Sequence, residues 1–207
     1  MIWPWVTLAV LGAYHGINPG MGWLFAVSRG LQEGRGSAVA AALPPIALGH
    51  ALSIGMTFGV LALGKASLGH GPVRWLAAGA VIAFGVSKLV RHRHPRWVGM
   101  RVGFGGLLAW SFLMATAHGA GLMLVPLFIA GGDVPPCHAR AGLALSGTAA
   151  YLGATLVHTG AMLLAAGAIA LVVFYKVGLA VLRRAWFNLD RLWAAALILS
   201  GIAAWVV

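Results

Sequence analysis

Six apolar runs divide this chain, roughly residues 2–27, 42–64, 73–90, 104–131, 141–175 and 188–207. A helix needs about 20 apolar residues to cross a bilayer, and each run is close to or above that length. Only 8% of the residues are charged, and the mean hydropathy is +0.93. A soluble domain carries about 25% charged residues, so this chain lacks the polar surface to cover a water-facing globule. The predicted fold is all-α: a polytopic membrane protein of six transmembrane helices in one transmembrane domain, residues 1–207. The fifth run would reach about 50 Å as a straight helix, which predicts tilt, a break or an interfacial extension. No cationic segment precedes the first run, so Met1–Val27 reads as a retained helix.

The net charge of +11 reads as cytoplasmic loops rather than nucleic-acid binding, because Lys and Arg set membrane orientation. With the loop "KLVRHRHPRWVGMR" in the cytoplasm, Arg29, Arg35, Lys88, Arg91, Arg93, Arg96, Arg101, Lys176, Arg183, Arg184 and Arg191 all fall inside. Only Lys65, Arg74 and Arg140 fall outside. The bias predicts an inner (plasma) membrane protein with both termini outside the cytoplasm. His92 and His94 sit among those arginines, in a solvated basic loop near anionic headgroups; metal capture by that loop is the alternative. The three acids are Glu33, Asp133 and Asp190, and none lies in a run's core. Cys137 is the lone cysteine, which excludes an internal disulfide and a CxxC redox pair.

"AYHGINPGMGWLFAV" in the first run and "TAHGAGLMLVPLFIA" in the fourth share a small residue, His-Gly, a Met and a Leu/Phe-rich continuation. Each holds a proline, Pro19 and Pro126. "LGHALSIGM" in the second run pairs in the same way with "LVHTGAM" in the fifth. The halves, about 1–90 and 104–207 around a loop at about 91–103, read as copies of a three-helix unit. Three crossings are odd, so the second copy enters from the opposite side, giving an inverted repeat with a midplane site at broken helices. Pro19 lacks a backbone donor and clashes with the preceding turn. In lipid the freed carbonyl needs a partner, so the break should face protein or a hydrated cavity. Gly12, Gly16 and Gly20 lie four apart and predict a face for a close neighbour helix. Gly55 and Gly59 predict a similar face on the second run.

Four histidines lie within the runs: His15, His50, His118 and His158. Ionisable groups in a membrane are costly and usually face the bundle interior, and the repeat should bring these four together. Imidazole suits nickel, cobalt, zinc and copper. A methionine follows each: Met21, Met56, Met123 and Met162. Only His158 and Met162 have the spacing that shares a helical face; for the others, packing is the simpler role. Candidate metal contacts are thus His15, His50, His118, His158, Met21 and Asn18. Pro19, Tyr14, Met123 and Met162 are candidates for the substrate path.

"HGINPGM" and "LGHALSIG" resemble nickel/cobalt permeases, which carry H-A-x-D-A-D-H in an early helix and L-G-H in a later one. His15 aligns with the first histidine and Asn18 with the first acidic position. Gly20 and Met21 stand where that motif has Asp and His, and His50 aligns with the later histidine. The chain also resembles urease-accessory-like and cytochrome-biogenesis membrane families, with a Pro break and a six-helix inverted repeat, within the wider LysE-type superfamily. The resemblance implies a transporter. The expected function is movement of a transition-metal ion (nickel, cobalt or copper) through a His-lined midplane site, with no tightly bound cofactor. One alternative is an exporter of a small anion or amino acid, held by Asn18, Tyr14, Thr116, Thr155 and Thr159 or by half-helix N-termini. The other is a metal- or haem-binding membrane subunit or assembly factor. No acidic dyad or serine nucleophile elbow points to an enzyme. Expected partners are the lipid bilayer and a metal ion or small solute, with a homo-oligomer or a membrane partner left open.

Overall fold

The computed structural model describes residues 2–90, 102–125, 148–177, 194–195, 197–199 and 201–202. The described residues are helical, with no strand among them. The helices are α1 (Trp3–Ile17), α2 (Trp23–Glu33), α3 (Gly36–Leu68), α4 (His70–Val90), α5 (Phe104–His118) and α6 (Thr148–Val172). Short 3₁₀ turns follow α1 (Pro19–Met21) and α5 (Leu122–Leu124), and a π turn, Val173–Val177, closes α6. Residues 194–195, 197–199 and 201–202 are helical too. Among the described residues, Gly36–Leu68 and Ala149–Lys176 are long and apolar enough to cross a membrane.

The first apolar run is not one helix. Asn18 precedes a proline, and the proline ring disfavours helical backbone at that residue. Asn18 accordingly turns to ψ 122°, and its side-chain oxygen accepts the Gly20 N–H at 2.9 Å. Gly22 then adopts φ 109°, a left-handed conformation that side chains rarely tolerate, and α2 starts beyond it. The break frees carbonyls, and two indoles take them. Trp23 Nε1 donates to the Ile17 carbonyl at 3.1 Å, and Trp110 Nε1 to the Gly20 carbonyl at 3.3 Å. The fourth run also stops early. α5 ends at His118, where Gly119 (φ 70°) sends its N–H to Thr116 and Ala120 sends its own to Ala115, a Schellman closure. Pro126 and the rest of that run lie outside the described residues, as do the 91–101 part of the basic loop and most of the sixth run.

The main helix pairs are α1 with α6 and α3 with α5. Along α1, Gly12 lies against the His158 carbonyl and Gly16 against that of Met162, so α1 and α6 run parallel. Along α3, the Ile46 carbonyl accepts from Ser111 Oγ at 2.6 Å, Ser53 bonds Thr116 at 2.9 Å, and Thr57 meets Gly121. α3 and α5 therefore also run parallel. α2 packs antiparallel on α3, Gly22 against Ile46 and Gly30 against Val39. Gly85 meets Ala194 and Ile198 while Gly201 meets Ala78 and Ile82, so α4 and the 194–202 helix are antiparallel.

The expected Gly55/Gly59 packing face is corrected by these contacts. Among the described residues, a Cβ at either position would meet nothing within 4 Å. Gly49, which lies against Leu108, Ser111 and Phe112, makes the close approach instead. At about 100° per residue, the Gly49–Ser53–Thr57 stripe points to α5 and Gly55 lies roughly opposite.

Candidate functional site

His15 occupies the last turn of α1, just before the break, while His50 and His158 lie within α3 and α6. All three are fully buried. Their ring centres form a triangle: 4.9 Å for His15–His158, 5.3 Å for His15–His50 and 5.5 Å for His50–His158. The glycines make this approach possible, because Gly12 and Gly16 bring α6 against α1 at His158 and Met162.

The hydrogen bonds distinguish the rings. His15 Nδ1 contacts the Leu11 carbonyl and His158 Nδ1 the Leu8 carbonyl, both at 3.2 Å. A carbonyl only accepts, so each Nδ1 carries the proton and, in the neutral ring, Nε2 carries the lone pair. His50 differs: neither of its nitrogens has a protein hydrogen-bond partner. Asn18 Nδ2 at the break and Thr159 Oγ1 beside His158 are also buried with no hydrogen-bond partner among the described residues. Buried polar groups are nearly always bonded, so such atoms call for an explanation.

His118, also buried, ends α5 close enough to His15 to interact with it electrostatically. Its Nδ1 donates to the Met114 carbonyl at 2.8 Å, and its Cε1 would lie 3.4 Å from a Cβ at Gly20. Among the described residues, no group of three or more His, Cys, Asp or Glu is set, as the rings stand, to hold a metal ion.

The other candidates separate by setting. Met21 is buried in the turn that follows Pro19. Met162 is buried in the apolar cluster of Trp23, Phe25, Val27, Ile46 and Leu107, and Met123 packs with Val81, Leu197 and Tyr14. Met56 is 46% exposed and faces outward. Thr155 donates to the Tyr151 carbonyl within α6, and Thr116 donates to the Phe112 carbonyl within α5 and bonds Ser53 of α3. His92 and His94 lie outside the described residues.

Sequence reasoning missed Trp23 and Trp110, whose indoles close the break. Trp23 carried a legible signal, since it follows Gly22 directly. Trp110 is 90 residues from its acceptor, and no local pattern links the two. Comparison of the chain with protein families, curated proteins and solved structures finds no match, so the site is read from its own geometry.

Proposed function

We propose that this protein is a multi-pass inner-membrane transporter that moves a soft or borderline transition-metal cation through the His15–His50–His158 site. The observation that carries the reading is the triangle of fully buried imidazoles beside a broken helix. With metal–nitrogen bonds of about 2.0–2.1 Å, two imidazoles at a tetrahedral angle have ring centres roughly 5 Å apart. The observed 4.9–5.5 Å spacings bracket that value. A metal-bound histidine commonly anchors its other nitrogen on a carbonyl or carboxylate, as His15 and His158 do on Leu11 and Leu8. Without a carboxylate in the cluster, a bound cation keeps its charge uncompensated at low dielectric. That favours brief occupancy, which suits transport better than storage.

Membrane insertion accounts for the apolar exterior. Leu48, Leu52, Val60 and Leu63 on α3, and Leu152, Leu156 and Leu164 on α6, are exposed, large apolar side chains that lipid would cover. The inverted repeat is supported by helix direction. α1 and α2 both run parallel to α6, α2 runs antiparallel to α3, and α3 runs parallel to α5, so the equivalent helices α1 and α5 run in opposite directions.

The test is metal titration of the purified chain in detergent. Nickel, cobalt, zinc and, under reducing conditions, Cu(I) are titrated, with Mg²⁺ and Ca²⁺ as controls. Hard cations want several oxygen ligands and should not bind. At least one transition metal should bind at neutral pH, and His15→Ala should remove it. If the wild type takes up none, the metal reading fails. Asn18 Nδ2 and Thr159 Oγ1, two buried groups able to donate, would then favour export of a small anion or amino acid. A Soret band in the purified protein would instead point to a haem-holding subunit.

A further inference from the structure

The ring spacing fits a three-histidine metal site, yet the rings as they stand do not form one. The hydrogen bonds suggest which ring must move. His15 and His158 are each held by an Nδ1–H bond to a carbonyl, which sets ring rotation and tautomer. His50 has no such hold on either nitrogen. The two helix pairs explain the difference. Gly12 and Gly16 draw α6 so close to α1 that His158 reaches the Leu8 carbonyl across the interface. In the α3–α5 pair the close approach comes at Gly49, one residue before His50, and Ser111 Oγ takes the Ile46 carbonyl there. His50 is left with a ring contact to each of the other two histidines and, among the described residues, no hydrogen bond that holds its ring.

We infer that His50 is the exchangeable ligand of the metal site, closing it by turning about its Cβ–Cγ bond against a fixed His15–His158 pair. This rests on the metal-transport reading. The torsion in question is broad and roughly two-fold for histidine. Turning about it re-aims the ring nitrogens while leaving the ring centre almost in place, so the spacings that fit a metal are preserved. Nε2 of His15 and His158 hold the ion throughout. His50 joins on capture and leaves on release, so the ion need not break all its bonds at once. Each ring enters as a neutral lone-pair donor, and no covalent bond of the protein changes.

The experiment uses the full chain in detergent micelles with histidine ¹⁵N labels and Zn²⁺ as the probe. Resonances are assigned by their loss in single His→Gln variants. In metal-free protein, His15 and His158 should show a fixed Nδ1–H tautomer, and His50 shifts averaged between both tautomers. On Zn²⁺ addition, all three should show a metal-bound nitrogen. His15→Ala and His158→Ala should abolish binding. His50→Ala should keep measurable but weaker binding, with faster Zn²⁺ release by chelator. His50→Gln should behave likewise, and an unchanged thermal unfolding midpoint shows that it folds. A single fixed His50 tautomer in metal-free protein overturns the inference, and so does a His50→Ala loss as complete as that of His15→Ala. Either result leaves the transport reading in place. Absence of Zn²⁺ and every other transition metal from the wild type overturns both.

Discussion

Met162 is fully buried among Trp23, Phe25, Val27 and Ile46, a setting that asks for volume rather than a sulfur ligand. Met123 sits in a comparable apolar cluster with Val81 and Leu197. Leucine roughly conserves methionine's volume, and such swaps usually cost less than about 1.5 kcal/mol. Met123→Leu and Met162→Leu should therefore leave metal affinity unchanged, measured by the same titration; a lost Cu(I) site would make them ligands. Charge at the end of α2 follows different physics. Glu33 accepts from Arg29 at 2.8 Å and from Arg35 at 2.6 and 3.0 Å. Hydrogen bonds from Arg29 and then Arg35 hold its carboxyl below the usual range. Because the folded value is the lower one, the pairing stabilises the fold above the unfolded carboxylate's pKa. That stabilisation is lost as pH falls through the folded value. Glu33→Gln should therefore lower the thermal midpoint slightly at neutral pH, and the gap to the wild type should close in acid. The effect should shrink with salt, since exposed pairs are weak and screened.

At the scale of the helices, α1 and α6 meet through backbone. A Cβ at Gly16 would run into the Met162 carbonyl and the Ala165 side chain. Neither can yield without separating the helices that hold His15 and His158. Overpacking of this kind costs about 1–3 kcal/mol, occasionally more. Gly16→Val should lower the unfolding midpoint and abolish metal uptake together. Gly59→Ala is the matched control, because among the described residues its Cβ would meet nothing within 4 Å. Alanine there should be neutral or stabilise by about 0.5–1 kcal/mol, the usual gain over glycine inside a helix, with metal uptake kept. Equal losses in both variants would remove the distinction between the two glycine faces.

At the scale of the whole molecule, three described basic residues gather at one end. Gly30 lies against Phe174 and Gly36 against Tyr175, which brings Arg29, Arg35 and Lys176 to the same end of the bundle. Lys65 lies near the opposite end of α3. Basic residues mark the cytoplasmic side, so the α2–α3 hairpin should be cytoplasmic and both termini outside. An alkaline phosphatase fused after Val207 should be active, and a reporter that works only in the cytoplasm should be silent at the same point. The reverse pattern would invert the topology.

By itself the sequence determined the helical class, the break at Asn18–Pro19 and the burial of His15, His50, His118 and His158. These follow from composition and from adjacent residues: proline removes a donor and restricts the residue before it, and few charges leave no polar coat. Tertiary structure alone decided which three of the four histidines form the triangle and that Gly49, not Gly55 and Gly59, lets α3 approach its neighbour. It also turned Met56 outward and supplied Trp110 to a carbonyl 90 residues away. All four depend on how each helix is rotated about its own axis. A water-facing helix advertises that rotation through an apolar stripe and a polar face. Helices that are apolar all round carry no such stripe, so their facing surfaces are set by glycine contacts and hydrogen bonds that exist only once the bundle has formed.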